Sequence, residues 1–187
     1  MLVDQFTKRT EGCCRFRSNR VRILMGPLEC RQIQQAEKEQ GFALLMETAK
    51  WLEQKGKRQR IAKTPFATYE AWQEAGVNHG IFSEGQLVGI YSLPEEAFVD
   101  WPDFQELGKQ IWLRALATHP NFRGKQVGET GISEALKQVG DRSLYLDCVS
   151  GFLPGYYQKR GFKILAEQER EYPGDGTYQI TLMAHPS

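Results

Sequence analysis

The stretch Asn121-Phe122-Arg123-Gly124-Lys125-Gln126-Val127-Gly128 sets two cations and two glycines within six positions. Before it runs an apolar, strand-like segment, Ile111 to Thr118, closed by His119-Pro120. After it Val127, Gly131, Ile132, Ala135, Leu136 and Val139 recur at spacings of three and four, the period of a helix face. A basic, glycine-bearing loop between a strand and a helix start is suited to hold phosphate. First-turn amides have no intrahelical partner, and the helix dipole adds partial positive charge. Arg123 and Lys125 add full charges, and Gly124 and Gly128 let the backbone approach an anion without a Cβ in the way.

Two familiar phosphate loops are excluded. No Lys is followed by Ser or Thr within a P-loop glycine frame; Lys63-Thr64 has no such frame before it. The dinucleotide fingerprint Gly-x-Gly-x-x-Gly is also missing, and the preceding segment does not open a Rossmann-type unit.

The loop resembles motif A of the GNAT superfamily of acyl-CoA N-acyltransferases, Gln/Arg-x-x-Gly-x-Gly/Ala. Arg123 and Gly128 hold its first and last positions, and Gln126 replaces the middle glycine, which removes backbone freedom but no amide donor. Four further blocks stand in family order. Phe42 to Leu52 resembles the first helices, and Ile81 to Gly89 the hairpin with an acidic-Gly turn. Leu144 to Cys148 reads as the next buried strand. Gly155-Tyr156-Tyr157-Gln158-Lys159-Arg160-Gly161-Phe162 is similar to (F/Y)-Tyr-x-x-x-Gly-Phe. The resemblance spans roughly residues 28 to 185 and implies an α/β GNAT fold, a mixed, mostly antiparallel sheet of about six or seven strands flanked by helices.

Composition sets limits. A chain of 187 residues suits one domain, and 41% hydrophobic with 25% charged residues is ordinary for a soluble globular protein. A net charge of +1 argues against a nucleic-acid binder that relies on a broad basic surface. No apolar run approaches the ~20 residues needed to span a bilayer, and the first residues lack a secretory apolar core. Four cysteines without a C-x-x-C or histidines at ligand spacing read as reduced thiols in a cytoplasm, with no metal site. Cys13-Cys14 reads as a pair of exposed thiols, and Cys148 as small apolar packing on a strand.

Residues 1–24 stand apart, with six Lys/Arg, two acids and no clear period. A basic arm, an Arg-rich targeting peptide and an extension upstream of a start at Met25 all fit that composition; Asp4 and Glu11 count against targeting. The expected division is a flexible extension, 1–24, and a GNAT domain, 25–187. Within the domain Leu28 to Ile33 reads as a strand or a helix start, and two helical stretches run on through Glu53. Thr68 to Ala75 reads as a helix capped by Thr68 and ended at Gly76, and His79 to Leu93 as a hairpin. Pro94 to Gly108 is an acidic, aromatic loop that walls an acceptor site or covers a sheet edge. Phe162 to Ala184 reads as a long antiparallel hairpin.

The resemblance also implies the chemistry: an amine attacks the thioester of acetyl-CoA, the co-substrate, without a covalent enzyme intermediate. Strand backbone at Leu116, Ala117 and Thr118 would pair with the pantetheine arm, and the pyrophosphate would rest on Arg123, Gly124, Lys125, Gln126, Val127 and Gly128. Tyr157 would be the general acid, since a phenol with a pKa near 10 keeps its proton at neutral pH; core packing is the competing role. For the base, Asp147, Glu95, Glu96 and Asp100 are candidates, and His119 titrates in the right range but sits in a turn. Arg114, a cation on an apolar strand, can receive an acceptor carboxylate or pair with a neighbouring acid. The expected partner is a small-molecule or peptide amine, with no nucleic acid and no membrane, and a homodimer is left open. A CoA-binding sensor or non-catalytic partner module of the same fold is the alternative.

Overall fold

The computed structural model describes residues 25–57 and 64–186. Thirteen main elements follow one another among them. Strand β1 (Leu28–Gln32) leads through a 3₁₀ turn at Gln35–Glu37 into α1 (Lys38–Gln54). Helix α2 (Phe66–Glu74), β2 (Asn78–Ser83), β3 (Gln86–Ser92), β4 (Glu95–Ala97), β5 (Lys109–Trp112) and β6 (Arg114–Thr118) come next. The chain closes with α3 (Val127–Val139), β7 (Leu144–Val149), α4 (Phe152–Gln158), β8 (Lys163–Tyr172) and β9 (Gly176–His185).

The strands form two sheets, in the orders β1-β2-β3-β6 and β4-β5-β7-β9-β8. Every pairing is antiparallel except β5 with β7. This is the mixed, mostly antiparallel α/β architecture expected, with nine strands among the described residues. The higher count comes from segments where no strand was expected and from a strand that divides. Ile111 to Thr118 reads as one strand, yet the chain changes sheets at Leu113, whose N–H donates to the Tyr145 carbonyl at 2.7 Å. Beyond that bond β6 follows β3 and β7 follows β9, so the two sheets part and leave a cleft between β6 and β7.

Strand β6 is bent where they part. Ser92 faces Arg114 and Ile90 faces Ala117, so Ala115 and Leu116 together oppose Tyr91. Ala115 takes φ 51°, the left-handed conformation that one side of a bulge adopts. Helix α1 packs on β3 and β6 from one side and α3 on β1, β3 and β6 from the other. Leu44, Leu45, Tyr69 and Phe82 fill the α1 side; Val127, Ile132, Ala135 and Tyr91 fill the α3 side.

Three expectations change. Helix α2 starts at Phe66 with Pro65 as its cap residue, so Thr68 lies inside the first turn. A proline fixes φ near the value that leads into a helix and leaves one fewer amide to satisfy. The segment Pro94 to Gly108 is ordered: it contains β4 and a 3₁₀ helix at Pro102–Leu107. Its Phe98 and Trp101 join Trp112, Ile180 and Leu182 in a third buried cluster, so the aromatics do cover the second sheet. The helical stretches through Glu53 are one helix of 17 residues preceded by the 3₁₀ turn. The expectations about residues 1–24, Cys13-Cys14 among them, lie outside the described residues. No helix among those described is long and apolar enough to cross a membrane.

Candidate active site

A cavity of about 580 Å³ occupies the cleft between the sheets. Its walls come from β6, β7, the start of α3, helix α4 and the first turns of α2.

One end lies at the start of α3. Gly124, Gln126, Val127 and Gly128 line it, together with Arg123. Gly124 has φ 74°, which favours glycine on conformational grounds alone, since nothing stands within 4 Å of where its Cβ would be. Gln126 is the cap residue and takes φ 61° without a glycine's freedom. Gly128 is needed for space: a Cβ there would lie 2.6 Å from the Tyr156 hydroxyl. The Arg123 guanidinium stacks 4.3 Å from the Trp51 ring centroid, and partial burial lowers its pKa. Lys125 belongs to the same loop but not to the cavity wall; its ammonium lies 5.4 Å from the Phe122 ring centroid.

The middle is backbone and phenol. Leu116, Ala117 and Thr118 line the cavity along β6, and the Thr118 carbonyl accepts from the Thr48 hydroxyl of α1 at 3.2 Å. Opposite them stand Cys148 of β7 and Tyr156 and Tyr157 of α4. Tyr157 is the more buried of the two tyrosines, at 8% exposure, and its ring meets Tyr156 and Phe162 edge-on at 5.3 and 5.5 Å. Burial, then the neighbouring Cys148 and Tyr156, raise its pKa well above the ordinary phenol value. Burial likewise pushes the Cys148 thiol up to about 12, so it stays protonated and unreactive. Tyr156 stacks on the Arg160 guanidinium at 3.6 Å and is also raised by burial.

The far end is an ion network. Arg114 donates from Nε to Glu96 of β4 at 3.0 Å and from Nη1 to Asp147 of β7 at 2.7 Å. Its guanidinium lies 4.2 Å from the Trp112 ring centroid. Asp147 also accepts from the Trp101 indole at 3.4 Å and faces Arg170 of β8 at 3.8 Å. Arg170 in turn pairs with Asp100 at 2.8 Å. Glu96, Asp100, Arg114 and Asp147 all line the cavity, beside Thr68 and Trp72 of α2.

Of the candidates read from sequence, the fold therefore gathers Glu96, Asp100, Arg114, Leu116, Ala117, Thr118, Arg123, Gly124, Gln126, Val127, Gly128, Asp147 and Tyr157 around one cavity. It sets two aside. Glu95 points the other way and pairs with Arg142 at 2.8 Å. His119 caps its own turn, Nδ1 accepting from the Asn121 N–H at 3.2 Å while Nε2 lies 3.5 Å from Glu47. Arg114 takes the second of its two readings and pairs with acids. Trp101, Arg170, Thr48 and Trp72 were not anticipated. Arg170 and Asp100 are 70 positions apart, on segments with no shared motif, so only the tertiary fold joins them. Among the described residues no group of three or more His, Cys, Asp or Glu side chains converges as metal ligands.

A split sheet, a bulged strand at the split and a helix start facing the gap place this chain among α/β proteins with a cleft opened inside the sheet. The chain belongs to the GNAT acetyltransferase family, whose model matches residues 46–162. No curated protein matches this sequence. Solved structures share the fold at low identity. The Escherichia coli ribosomal-protein-S18-alanine N-acetyltransferase is 15% identical with a TM-score of 0.62, over 86% of this chain and 94% of that one. A GCN5-related N-acetyltransferase from Rhodopseudomonas palustris is 19% identical with a TM-score of 0.67, over 88% and 99%. Arabidopsis thaliana Naa50, in complex with a bisubstrate analogue, CoA-Ac-MVNAL, is 13% identical with a TM-score of 0.60, over 84% and 97%.

Proposed function

We propose that this protein moves the acetyl group of acetyl-CoA directly to a primary amine. The observation that carries the reading is the continuous cavity between β6 and β7, which joins the helix start of α3, the Tyr157 side chain and a wall of charged side chains. The family match and the CoA-bearing bisubstrate analogue bound to Naa50 support acetyl-CoA as donor.

The residues fit that donor. Gly124 holds the left-handed turn, and the absence of a Cβ at Gly128 leaves room beside the Tyr156 hydroxyl. The amides of the first α3 turn and the Arg123 guanidinium would hold the pyrophosphate, with Lys125 adding charge nearby. Leu116, Ala117 and Thr118 would offer their backbone to the amide-bearing arm, as an edge strand does. Acetyl-CoA supplies a thioester whose carbonyl carbon an amine nitrogen can attack. As the new C–N bond forms, the C–S bond breaks and the sulfur leaves with the electron pair. Tyr157 would give its proton to that sulfur, and a raised pKa keeps the proton in place until then. The proton shed by the amine goes to water or to a carboxylate of the far wall. Asp147 is a poor recipient, because Arg114 and Trp101 already donate to its two oxygens. Glu96 has one oxygen on Arg114 and stands on the cavity wall, which makes it the better placed proton acceptor.

The test is release of CoA from acetyl-CoA with a panel of primary amines, run beside calorimetry of CoA binding. Amine-dependent CoA release with acetylated product supports the reading. Tight CoA binding without transfer to any amine replaces it with a CoA-binding module.

A further inference from the structure

The far wall of the cavity carries information about the acceptor. Among the described residues two guanidiniums line the cavity, Arg123 at the α3 end and Arg114 at the other. An acceptor that carries a carboxylate beside its amine would need a cation at the second place. Arg114 is the group positioned to supply it, but its fork is already shared between Glu96 at 3.0 Å and Asp147 at 2.7 Å.

That arrangement is fixed from several sides. The Trp112 indole, 1% exposed, donates to the Glu96 carbonyl at 3.0 Å, and its ring underlies the Arg114 guanidinium. The Trp101 indole donates to the second oxygen of Asp147 at 3.4 Å, and Arg170 ties Asp100 to the β8–β9 hairpin. Swinging Arg114 toward a ligand would therefore strand two partly buried carboxylates, which is costly. Three carboxylates (Glu96, Asp100, Asp147) against two guanidiniums (Arg114, Arg170) leave one net negative charge on this wall. An amine, protonated in water at neutral pH, is attracted there. A carboxylate meets a neutralised arginine and the excess charge.

We infer that the Glu96–Arg114–Asp147 bridge is a specificity device that selects primary amines with no carboxylate on the amine-bearing carbon. The inference rests on the transferase reading above. Free α-amino acids are excluded by it. The accepted class is the amine whose neighbouring carboxyl group is absent or amidated, as in a simple alkylamine or the amino terminus of a peptide.

The experiment uses matched pairs, alanine against alaninamide and phenylalanine against phenylalaninamide, with butylamine and a short peptide as further arms. Rates are compared per neutral amine, which removes the difference in amine basicity. The amide of each pair should have a kcat/KM at least about tenfold higher, a modest demand for a like charge held a few ångströms away at an effective dielectric near 20. Glu96→Gln returns one face of Arg114 to the cavity and should cut the amide-to-acid ratio by at least about threefold. Basicity cancels in that ratio of ratios, and a structural defect would lower both members together. Equal kcat/KM within both pairs overturns the inference and leaves the transferase reading standing. So does a ratio unmoved by Glu96→Gln in a protein that melts like the parent. Acetyl transfer to no member of the panel, with acetyl-CoA bound, overturns the transferase reading and this inference with it. If Glu96→Gln fails to fold, the pairs on the unaltered protein decide the question alone.

Discussion

Replacing Tyr157 by phenylalanine removes one oxygen and keeps the ring. The ring is 8% exposed and meets Tyr156 and Phe162 at 5.3 and 5.5 Å, and a phenyl ring reproduces both contacts. Stability should therefore change by about 1 kcal/mol or less, the scale of one hydroxyl's hydrogen bonding. In a domain of this size that is a shift of roughly 2–4 °C in Tm at most. Acetyl-CoA affinity should hold, because the loop at Arg123 to Gly128 is untouched. Turnover should fall by roughly 10²- to 10⁴-fold, the range for loss of a positioned general acid, or about 2.7–5.4 kcal/mol of barrier. Burial raises the Tyr157 pKa, so the neutral form persists to higher pH than in a free phenol. The wild-type rate should then show no basic limb from this group below about pH 10, the ordinary phenol value. The Tyr157→Phe variant and its parent should give profiles of one shape at different heights. Single-turnover transfer at saturating acetyl-CoA, with a melting curve on the same samples, makes the measurement. Undiminished single-turnover rate in a stable Tyr157→Phe protein would assign the residue to packing. A basic limb near pH 8 that vanishes in the variant would contradict the burial argument instead.

Two further outcomes follow from the backbone and from the buried acids. Gln126 takes φ 61° and Gly124 φ 74°, so Gln126→Gly should raise stability by about 0.5–1 kcal/mol, relief of left-handed strain less the added freedom of the unfolded chain, while Gly124→Ala should cost about 1–2 kcal/mol; a lower Tm for Gln126→Gly sinks the strain argument. Burial raises Tyr69 to about 12, Cys148 to about 12, and Tyr91 and Tyr157 in the same direction. The unfolded chain thus loses these protons first, and stability is fully present below about pH 8.5–10 and falls as pH climbs toward 12, by about 1.4 kcal/mol per pH unit for each group titrating; urea midpoints that stay flat from pH 8 to 11 would refute this.

What sequence made legible was what local rules determine. Val127 to Val139 carries a helical period and forms α3, and Glu84-Gly85 supplies the two left-handed residues, φ 50° and 79°, of a two-residue hairpin turn. The block from Tyr157 to Phe162 places a phenol on α4 by resemblance alone, and the fold sets that phenol in the wall of the cavity. The division of Ile111 to Thr118 was not legible. Its apolar run is as good for one strand as for two, and the partners that part it, Tyr145 on one side and Gly89, Ile90 and Ser92 on the other, are remote in sequence. Nor did a glycine mark the bulge: Ala115 holds the left-handed position. Strand β4 is three residues long and exists through its pairing with β5, so no period could announce it. Pro65 was a usable helix-start signal, and the hydroxyl of Thr68 drew the boundary three residues too far along.

Three non-glycine residues have positive φ among those described, and their places differ in meaning. Glu84 serves a hairpin turn, where such a conformation is routine. Ala115 and Gln126 lie on the cavity, one at each side of the β6–α3 connection. Each costs on the order of 1–3 kcal/mol, and a fold of ordinary stability keeps such residues where the surroundings over-determine them. At Ala115 the bulge takes backbone out of the β3 ladder; at Gln126 the helix start leaves amides that no earlier turn can satisfy. Both departures free main-chain groups, which every residue type supplies. That is why Gln126 in place of a motif glycine changes the strain and not the donor set. The opposite wall works through side chains, Glu96, Arg114, Asp147 and Arg170, whose identities are not dictated by the backbone. In the proposed reading donor recognition by main chain and acceptor recognition by side chain divide the cavity between them, and it is the second half that substitution at Glu96 interrogates.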